Sequence, residues 1–369
     1  MADDDPRKYG EDHINKSIKQ INSETWLIGN LILHRSPYPS NKATWNDDVD
    51  NSSYTLTIAP PPLPSATTPA DSPHITLVNE AGDAMVLWRI GHKVCCKASY
   101  YRNGDTPESN TINFVRDQQP SFETPKVLHH AFFGNRSFLF MQWIPGPSLS
   151  DAWPDLDEYW RGHYTEAVAK AAMEMAGWKG HAFGGVDGQN IPISYLSADW
   201  SGGYYQDTSS ASLTATCKLL GMDCSNFVFS HNFLDLDFVI VEKEPKTGKI
   251  GIFEWEAGGF VPRSWIRTKF KIDAGSYRHC YPDDDRKNWP VEIQHELKAN
   301  GFDEVSKAFW EWRNKKKKSS SSYYCGGDLL CQLPDGGSLS QASFPLKPLF
   351  PYFLRPQRLI PCLVRSRPS

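Results

Sequence analysis

Acidic side chains follow two short apolar runs in the second half of the chain. Asp235 and Asp237 lie between the runs FVFS and VIV, shortly after His231. Glu254 and Glu256 come directly after the run IGIF. Carboxylates in a loop can accept a proton from a substrate or bind a cation. Proton transfer and cation binding are therefore the first chemistry to consider.

Other catalytic signatures do not occur in the sequence. It has no GxSxG nucleophile turn, no HExxH zinc motif and no GxxxxGK[ST] phosphate loop. The eight cysteines are scattered without a CxxC pair, which predicts free thiols, with Cys95 and Cys96 packed as small hydrophobic residues. His129 and His130 follow a strand-like run and are interpreted as surface or packing residues.

The composition is that of a globular protein without a strong electrostatic bias. Hydrophobic residues make up 40% of the chain and charged residues 22%, and the net charge is -4. This balance predicts neither nucleic acid nor a membrane as a partner. No run of about 18 apolar residues occurs. Because the N-terminus is acidic and polar, we expect no signal peptide and a cytoplasmic location.

The elements that must position these side chains change in character along the chain. Residues 1–70 are polar and Pro-rich, which predicts an N-terminal strap or a disordered segment. Residues 71–144 hold short apolar runs separated by tight turns, which predict antiparallel strands. Residues 145–314 have mainly helical spacing with one hairpin. Residues 315–369 begin with KKKKSSSS and predict a disordered, low-complexity tail. Strands followed by helices indicate an α+β fold.

Four stretches together resemble the fungal branch of the aminoglycoside phosphotransferase family, which is choline-kinase-like. They lie within about residues 74–313 and read AGDAMVLWRIGHKVCCKA, FLFMQWIPGPSLSDAWP, FVFSHNFLDLDFVIV and IGIFEWEAGGFVPRSWIRTKF. The resemblance implies a protein-kinase-like two-lobed fold, with a small antiparallel β-sheet N-lobe and a larger, mainly helical C-lobe. It also implies ATP and Mg²⁺ between the lobes and transfer of the γ-phosphoryl group to a small-molecule hydroxyl.

The resemblance assigns nucleotide contacts to three residues. Lys97 matches the strand lysine that contacts the α- and β-phosphates, Glu108 matches its helix partner, and Met141 lies in the hinge stretch. An edge lysine is the alternative interpretation of Lys97, and Pro107 departs from the family pattern before Glu108. ATP and Mg²⁺ are the cofactors implied if nucleotide binding is retained; otherwise none is implied.

The catalytic loop departs from the family pattern at two positions. That pattern is a His, any residue, an Asp that accepts or orients the hydroxyl proton, four residues, and a metal-binding Asn. His231 matches, but Phe233 stands at the Asp position and Phe238 at the Asn position, with the loop length preserved. Asp235 is the remaining candidate for the catalytic carboxylate. If Asp235 is the base, the metal-binding position five residues later is Ile240, so this register does not restore the pair of Asp and Asn.

The metal-binding strand is altered as well. Glu254 stands at the family's metal-binding Asp and is the candidate metal ligand, although Mg²⁺ demands near-octahedral geometry at about 2.0–2.1 Å and the extra methylene is a poor match. Glu256 matches a second acidic residue of this segment, or forms a salt bridge within the loop. Taking Asp237 as the base places Glu242 at the metal position, which does not restore the pair either.

The altered loop leaves three hypotheses about function open. The first is a catalytically impaired pseudokinase that binds a small-molecule ligand or a protein partner. Loss of a general base typically costs about 10²–10⁴ in rate, which favours this hypothesis. The alternative is an active ATP- and Mg²⁺-dependent phosphotransferase that uses Asp235 or Asp237. The third is a decaying paralogue without maintained function. The sequence does not name the ligand or partner.

Overall fold

Two compact units make up the part of the chain that the computed structural model describes, which is residues 12–67, 72–198, 206–281 and 284–321. The first unit takes in the described residues up to Tyr101 together with Leu128–Met141. The second takes in Arg102–Val127 and the described residues from Gln142 onward. Strands dominate the first unit and helices the second, so the predicted α+β fold class is confirmed.

Two five-stranded sheets build the first unit. The first sheet pairs its strands antiparallel in the order β1-β2-β3-β5-β4, namely β1 (Ile18–Asn22), β2 (Thr25–Ile28), β3 (Leu31–Ser36), β4 (Trp45–Asp47) and β5 (Ser52–Ile58). The second sheet has the order β6-β7-β8-β10-β9, namely β6 (Ile75–Ala81), β7 (Met85–Ile90), β8 (Val94–Tyr100), β9 (Val127–Phe133) and β10 (Arg136–Gln142).

The first sheet corrects the expectation of a strap or a disordered segment over residues 1–70. Its strands bury apolar side chains in one hydrophobic core shared with the second sheet, among them Trp26, Ile28, Leu31 and Leu33. Burying a side chain of this size contributes about 1.5–3 kcal/mol, which is enough to order a strand that packs on a neighbour. Gly29, at a φ of 58°, makes the tight turn between β2 and β3. Residues 60–64 are irregular, as their prolines predict.

Seven helices and five short strands are described in the second unit. The helices are α1 (Glu108–Asp117), α2 (Leu149–Ala152), α3 (Glu158–Met175), α4 (Ser210–Leu219), α5 (Arg263–Cys280), α6 (Trp289–Ala299) and α7 (Ser306–Ser321). The strands are β11 (Lys179–Gly180), β12 (Phe227–Ser230), β13 (Val239–Val241), β14 (Ile250–Ile252) and β15 (Gly259–Pro262). β12 pairs with β11 and β15, and β13 with β14 forms the expected hairpin.

The start of the predicted tail is helical. α7 continues through the lysine run to Ser321, so the expectation of disorder from residue 315 is wrong up to that point. Lysine is a good helix former, and propagating an existing helix adds one hydrogen bond for each residue that is fixed. Residues 322–369 lie outside the described part of the chain. Within the described part, no helix is both long enough and apolar enough to cross a membrane.

The turn of the β13–β14 hairpin is anchored by Glu242. Its carboxylate accepts the backbone N–H groups of Lys246, Thr247 and Gly248 at 3.0, 2.9 and 3.0 Å. These backbone bonds lower the pKa of Glu242 to about 2. The ring of His163 on α3 lies 3.2 Å from the carbonyl oxygen of Gly248 through Nε2. The hairpin therefore has a fixed turn, and its two strands carry the residues that flank the candidate site.

Candidate functional site

The loop between β12 and β13 is held by the buried side chain of His231. Its Nε2 lies 2.7 Å from the carbonyl oxygen of Phe253, and its Nδ1 lies 3.3 Å from the backbone nitrogen of Phe233. A carbonyl only accepts and a backbone N–H only donates, so Nε2 carries the proton and Nδ1 accepts. Both ring nitrogens are thus engaged with the backbone. His231 positions the loop beside the residue that precedes Glu254.

Asn232 ties the same loop to a second segment. Its side-chain amide donates to the carbonyl oxygens of Ser230 and Ala257 at 3.2 and 2.8 Å. The residue adopts a left-handed φ of 65°, which is tolerated better by Asn than by most residues and costs about 1–2 kcal/mol in general. The bond to Ala257 crosses to the segment after Glu254. The loop and that segment are therefore fixed to each other at two points.

The two family positions in the loop are occupied by half-buried aromatic rings. The resemblance aligned Phe233 with an Asp and Phe238 with an Asn, which stays a prediction, and neither ring offers an oxygen or nitrogen to a proton or a metal. The backbone carbonyl of Phe238 accepts the N–H of Phe253 at 2.9 Å, which keeps the turn in register with β14. The backbone of the loop is thus bonded to β14 next to two aromatic side chains.

Asp235, the remaining candidate base, is engaged with α5. The hydroxyl of Tyr277 donates to Asp235 Oδ1 at 2.5 Å, and the backbone N–H of Asp237 donates to the same oxygen at 3.3 Å. The backbone N–H of Leu236 donates to the Tyr277 hydroxyl oxygen at 3.4 Å. Burial, and then the carboxylate of Asp237, raise the pKa of Asp235 to about 7. The sequence did not indicate this partner.

Three carboxylates lie together where β14 ends. Glu108, at the start of α1, and Glu254 and Glu256 each place one carboxylate oxygen so that the three oxygens lie within 4.8 Å of one another. Glu108 Oε1 also accepts the backbone N–H of Trp255 at 2.9 Å. Carboxylate oxygens are the ligands that Mg²⁺ and Ca²⁺ prefer, so this donor set fits the cation that the family resemblance implies. Phe238 contributes no ligand to it.

The backbone conformation of Glu254 depends on the packing of the next residue, Trp255. Glu254 has a left-handed φ of 67° and a side chain that is largely buried. Trp255, fully buried, lies with its ring 4.6 Å from the ring of His231 and stacks on Phe122 at 6.1 Å. Non-glycine residues held at positive φ persist only where the surrounding packing determines them, and they cluster at functional sites. The buried Trp255 supplies that packing here.

The predicted site residues fall in both units. Lys97 is buried on β8 and Met141 lies on β10, both in the first unit. Glu108, Glu254 and the catalytic-loop residues belong to the second unit, where the structure brings Glu108 to Glu254 and Glu256. The predicted pairing of Lys97 with Glu108, and the nucleotide contact at Met141, stay predictions. Cys95 and Cys96 are buried, as expected for packing residues.

Sequence reasoning missed Tyr277, although a signal for it existed. Lys269, Asp273 and Tyr277 succeed one another at intervals of four residues on α5, and such residues share one face of a helix. Lys269 and Asp273 form a buried ion pair at 2.5 Å. A polar stripe on a helix that is otherwise packed against its neighbours predicts partners elsewhere in the fold. Spacing alone does not say that the partner is Asp235.

Comparison with known proteins found similarity among solved structures only. No family model matches the chain, and no curated protein matches it. An aminoglycoside phosphotransferase from Streptomyces rimosus is 14% identical, covers 65% of this chain and 91% of its own, and superposes with a TM-score of 0.43. An aminoglycoside-3'-phosphotransferase of type VIII is 13% identical; the match covers 67% of this chain and 94% of that protein, with a TM-score of 0.42. The protein APH(2")-IIa, in a ternary complex with streptomycin and ATP, is 11% identical; the match covers 68% of this chain and 82% of that protein, with a TM-score of 0.39.

Proposed function

We propose that the protein is an aminoglycoside-phosphotransferase-like pseudokinase, which binds a nucleotide or another small molecule and does not transfer a phosphoryl group at a useful rate. The observation that carries the proposal is the turn from Phe233 to Phe238. Its Asp and Asn positions are aromatic, and the carboxyl of Asp235 inside it is bonded to Tyr277. This turn keeps the backbone of a catalytic loop without its reactive groups.

The energetics support loss of turnover. A missing general base costs about 10²–10⁴ in rate. For Asp235 to replace it, the carboxyl would have to give up the Tyr277 hydroxyl and point elsewhere. Misplacing a reacting group by about 1 Å can cost about 100-fold again. Together these terms remove most of the acceleration that positioning and charge neutralisation give a phosphotransferase.

A phosphotransfer assay tests the proposal directly. ADP release would be measured with ATP, Mg²⁺ and a panel of hydroxyl-bearing small molecules that includes aminoglycosides. The wild type is expected to match a Lys97→Ala control, with no turnover that depends on this lysine. The same panel would be run on the double variant Phe233→Asp/Phe238→Asn, which restores the family pattern. Acceptor-dependent ADP release by the wild type that disappears in Lys97→Ala would overturn the pseudokinase proposal.

An active ATP- and Mg²⁺-dependent phosphotransferase is the second candidate function. The observation that favours it is the carboxylate set of Glu108, Glu254 and Glu256, whose oxygens lie within 4.8 Å of one another. When bound, a divalent cation would neutralise phosphate charge there, with Glu254 and Glu256 as its carboxylate ligands. This candidate needs the cation for nucleotide binding, whereas the pseudokinase proposal does not.

Thermal unfolding with ATP separates the two candidates. A ligand at about 100 times its dissociation constant stabilises the native state by about 2.7 kcal/mol. A shift with ATP alone supports the pseudokinase. A shift that requires Mg²⁺, and that Glu254→Gln abolishes while the exposed-site control Glu244→Gln does not, supports the active phosphotransferase. A well-folded sample without any shift would exclude ATP as the ligand of either candidate.

A further inference from the structure

A fully buried carboxylate connects a turn of the first sheet to a turn of the second. It belongs to Asp47, the last residue of β4, whose side chain is 0% exposed. Its Oδ1 accepts the backbone N–H of Val49 at 3.2 Å, and its Oδ2 accepts the backbone N–H of His92 at 2.6 Å. Among the described residues, no Lys or Arg forms an ion pair with Asp47. Because burying a carboxylate is costly unless a positive charge lies beside it, this one requires a cationic partner.

The ring of His92 faces the same carboxylate. Its Nδ1 lies 3.3 Å from Asp47 Oδ2. When the ring is neutral with its proton on Nε2, both of these atoms are acceptors, so a proton or a metal ion must lie between them. A third donor is near, since Asp47, Asp50 and His92 each offer one atom and the three atoms lie within 4.8 Å of one another. Two ligands of one ion at about 2.0–2.6 Å lie at most about 5 Å apart, so the three atoms can share one ion.

The charged side chains around these turns do not balance. Four carboxylates, that of Asp47 included, face two cations. The ion pairs among them are Arg35 with Glu24 at 3.1 Å and with Asp50 at 3.0 Å, and Lys93 with Asp48 at 2.5 Å. A proton on His92 would offset one of the two excess negative charges. A divalent cation would offset both, and it would do so beside the carboxylate that is buried.

An unpartnered hydroxyl and a missing side chain leave a small space beside Asp47. A methyl group at Gly91 would lie 2.4 Å from Asp47 Oδ2 and 3.0 Å from the Tyr54 hydroxyl oxygen, so both oxygens border the space at Gly91. Tyr54 is fully buried, and its hydroxyl makes no hydrogen bond within the described part of the chain. Burial raises the pKa of Tyr54 to about 12, which keeps the hydroxyl protonated as a donor. Buried polar groups are normally bonded, so this hydroxyl points to a ligand in the space.

We propose that Asp47, Asp50 and His92 form a zinc site that ties the turn between β4 and β5 to the turn between β7 and β8. An imidazole nitrogen favours Zn²⁺ over Mg²⁺ and Ca²⁺, and two carboxylates complete a set of three protein ligands. A water takes the fourth position, where the Tyr54 hydroxyl donates to it. The side chain of His92 is 47% exposed, which gives the ion a path from solvent. The site lies within the first unit and does not depend on the proposed function.

Competition with a chromophoric chelator tests the site in the full chain. The protein would be stripped with EDTA and titrated with ZnCl₂ at pH 7.5. We expect the wild type to bind zinc, and His92→Ala and Asp50→Asn to weaken this binding by at least about 100-fold, because each removes a ligand. The matched controls are His34→Ala, an exposed histidine on β3, and Asp48→Asn, the exposed neighbour of Asp47. Both should change the affinity less than about threefold.

Thermal unfolding and one further variant make the outcome decisive. Zinc should raise the unfolding midpoint of the wild type and of His34→Ala but not that of His92→Ala. Glu254→Gln should keep the zinc affinity, because the carboxylates of the second unit are a separate set. Since Asp50→Asn also removes the ion pair with Arg35, the test rests on His92→Ala if the Asp50 variant does not fold. A wild type that binds no zinc, a His92→Ala variant that binds it as tightly as His34→Ala, or binding that is lost in Glu254→Gln instead would overturn the proposal.

Discussion

Substituting Gly248 by alanine should destabilise the second unit through the turn that joins β13 to β14. Gly248 has a φ of 71°, and a methyl group there would overlap the ring of His163. A left-handed alanine costs about 1 kcal/mol relative to glycine. Moving the His163 ring breaks its contact with the Gly248 carbonyl, worth about 0.5–1.5 kcal/mol, and disturbs its packing. The expected loss is about 2–3 kcal/mol.

Gly221→Ala is the matched control for this loss. Gly221 has a φ of 83°, and a methyl group added there meets nothing within 4 Å. Its substitution therefore isolates the cost of the left-handed backbone, about 1 kcal/mol. Urea unfolding followed by tryptophan fluorescence would compare both variants with the wild type. The difference between the two variants, about 1–2 kcal/mol, measures the His163 overlap.

A double variant checks that the ring is the cause. In a His163→Ala background the overlap is gone, so Gly248→Ala should cost only about 1 kcal/mol more, as in Gly221→Ala. If Gly248→Ala costs no more than Gly221→Ala in the wild-type background, His163 does not constrain the turn. The described contact between α3 and the hairpin would then carry no stability, and the reasoning would fail.

Three single contacts each give a further prediction. Glu242→Gln should destabilise the protein at pH 7 but not near pH 2. The low pKa of Glu242 gives a stabilisation that is present above about pH 4.5 and is lost as the pH falls toward about 2. If the variant and the wild type differ in unfolding midpoint by the same amount at pH 7 and pH 2.5, this prediction is contradicted. Asp235→Asn should have the opposite pH dependence. Because the pKa of Asp235 is raised, the wild type loses stability as the pH rises from about 4 to about 7. The variant should therefore unfold at a higher temperature than the wild type at pH 8, and this difference in unfolding temperature should be smaller at pH 5. Gly185→Ala should cost about 1–2 kcal/mol, because the methyl group would displace the Thr106 hydroxyl that donates to Asp187 at 2.6 Å; an unfolding midpoint equal to that of the wild type would contradict this.

The strands and helices of the middle of the chain could be predicted because their apolar residues repeat with a clear period. The alternating runs after His74 form β6, β7 and β8, and the spacing of three and four between Tyr164 and Met175 belongs to α3. The first sheet was missed because prolines and charges dominate the composition of residues 1–70. The strand signal there is the short stretch from Trp26 to Leu33, in which Gly29 interrupts an apolar run.

Only those residues of the candidate site that lie within a family motif could be predicted from the sequence. The family pattern identified His231, Phe233, Phe238 and Glu254 from their order in the chain. It did not indicate the contact of Asp235 with a tyrosine 42 positions away, because contacts of that separation depend on how helices pack. The bond from Trp255 to Glu108 spans 147 positions for the same reason.

The shared core of the two sheets has a consequence for how the first unit folds. Apolar residues of β2 and β3 belong to the same buried cluster as Val86 and Ile90 of β7, so neither sheet has a complete hydrophobic interior without the other. The ten strands should therefore melt together as one cooperative block, and a chain that started at residue 74 would lose part of this shared cluster. The first sheet, which lies in the segment that the sequence predicted to be a strap or disordered, is thus a folding partner of the strand that carries Lys97.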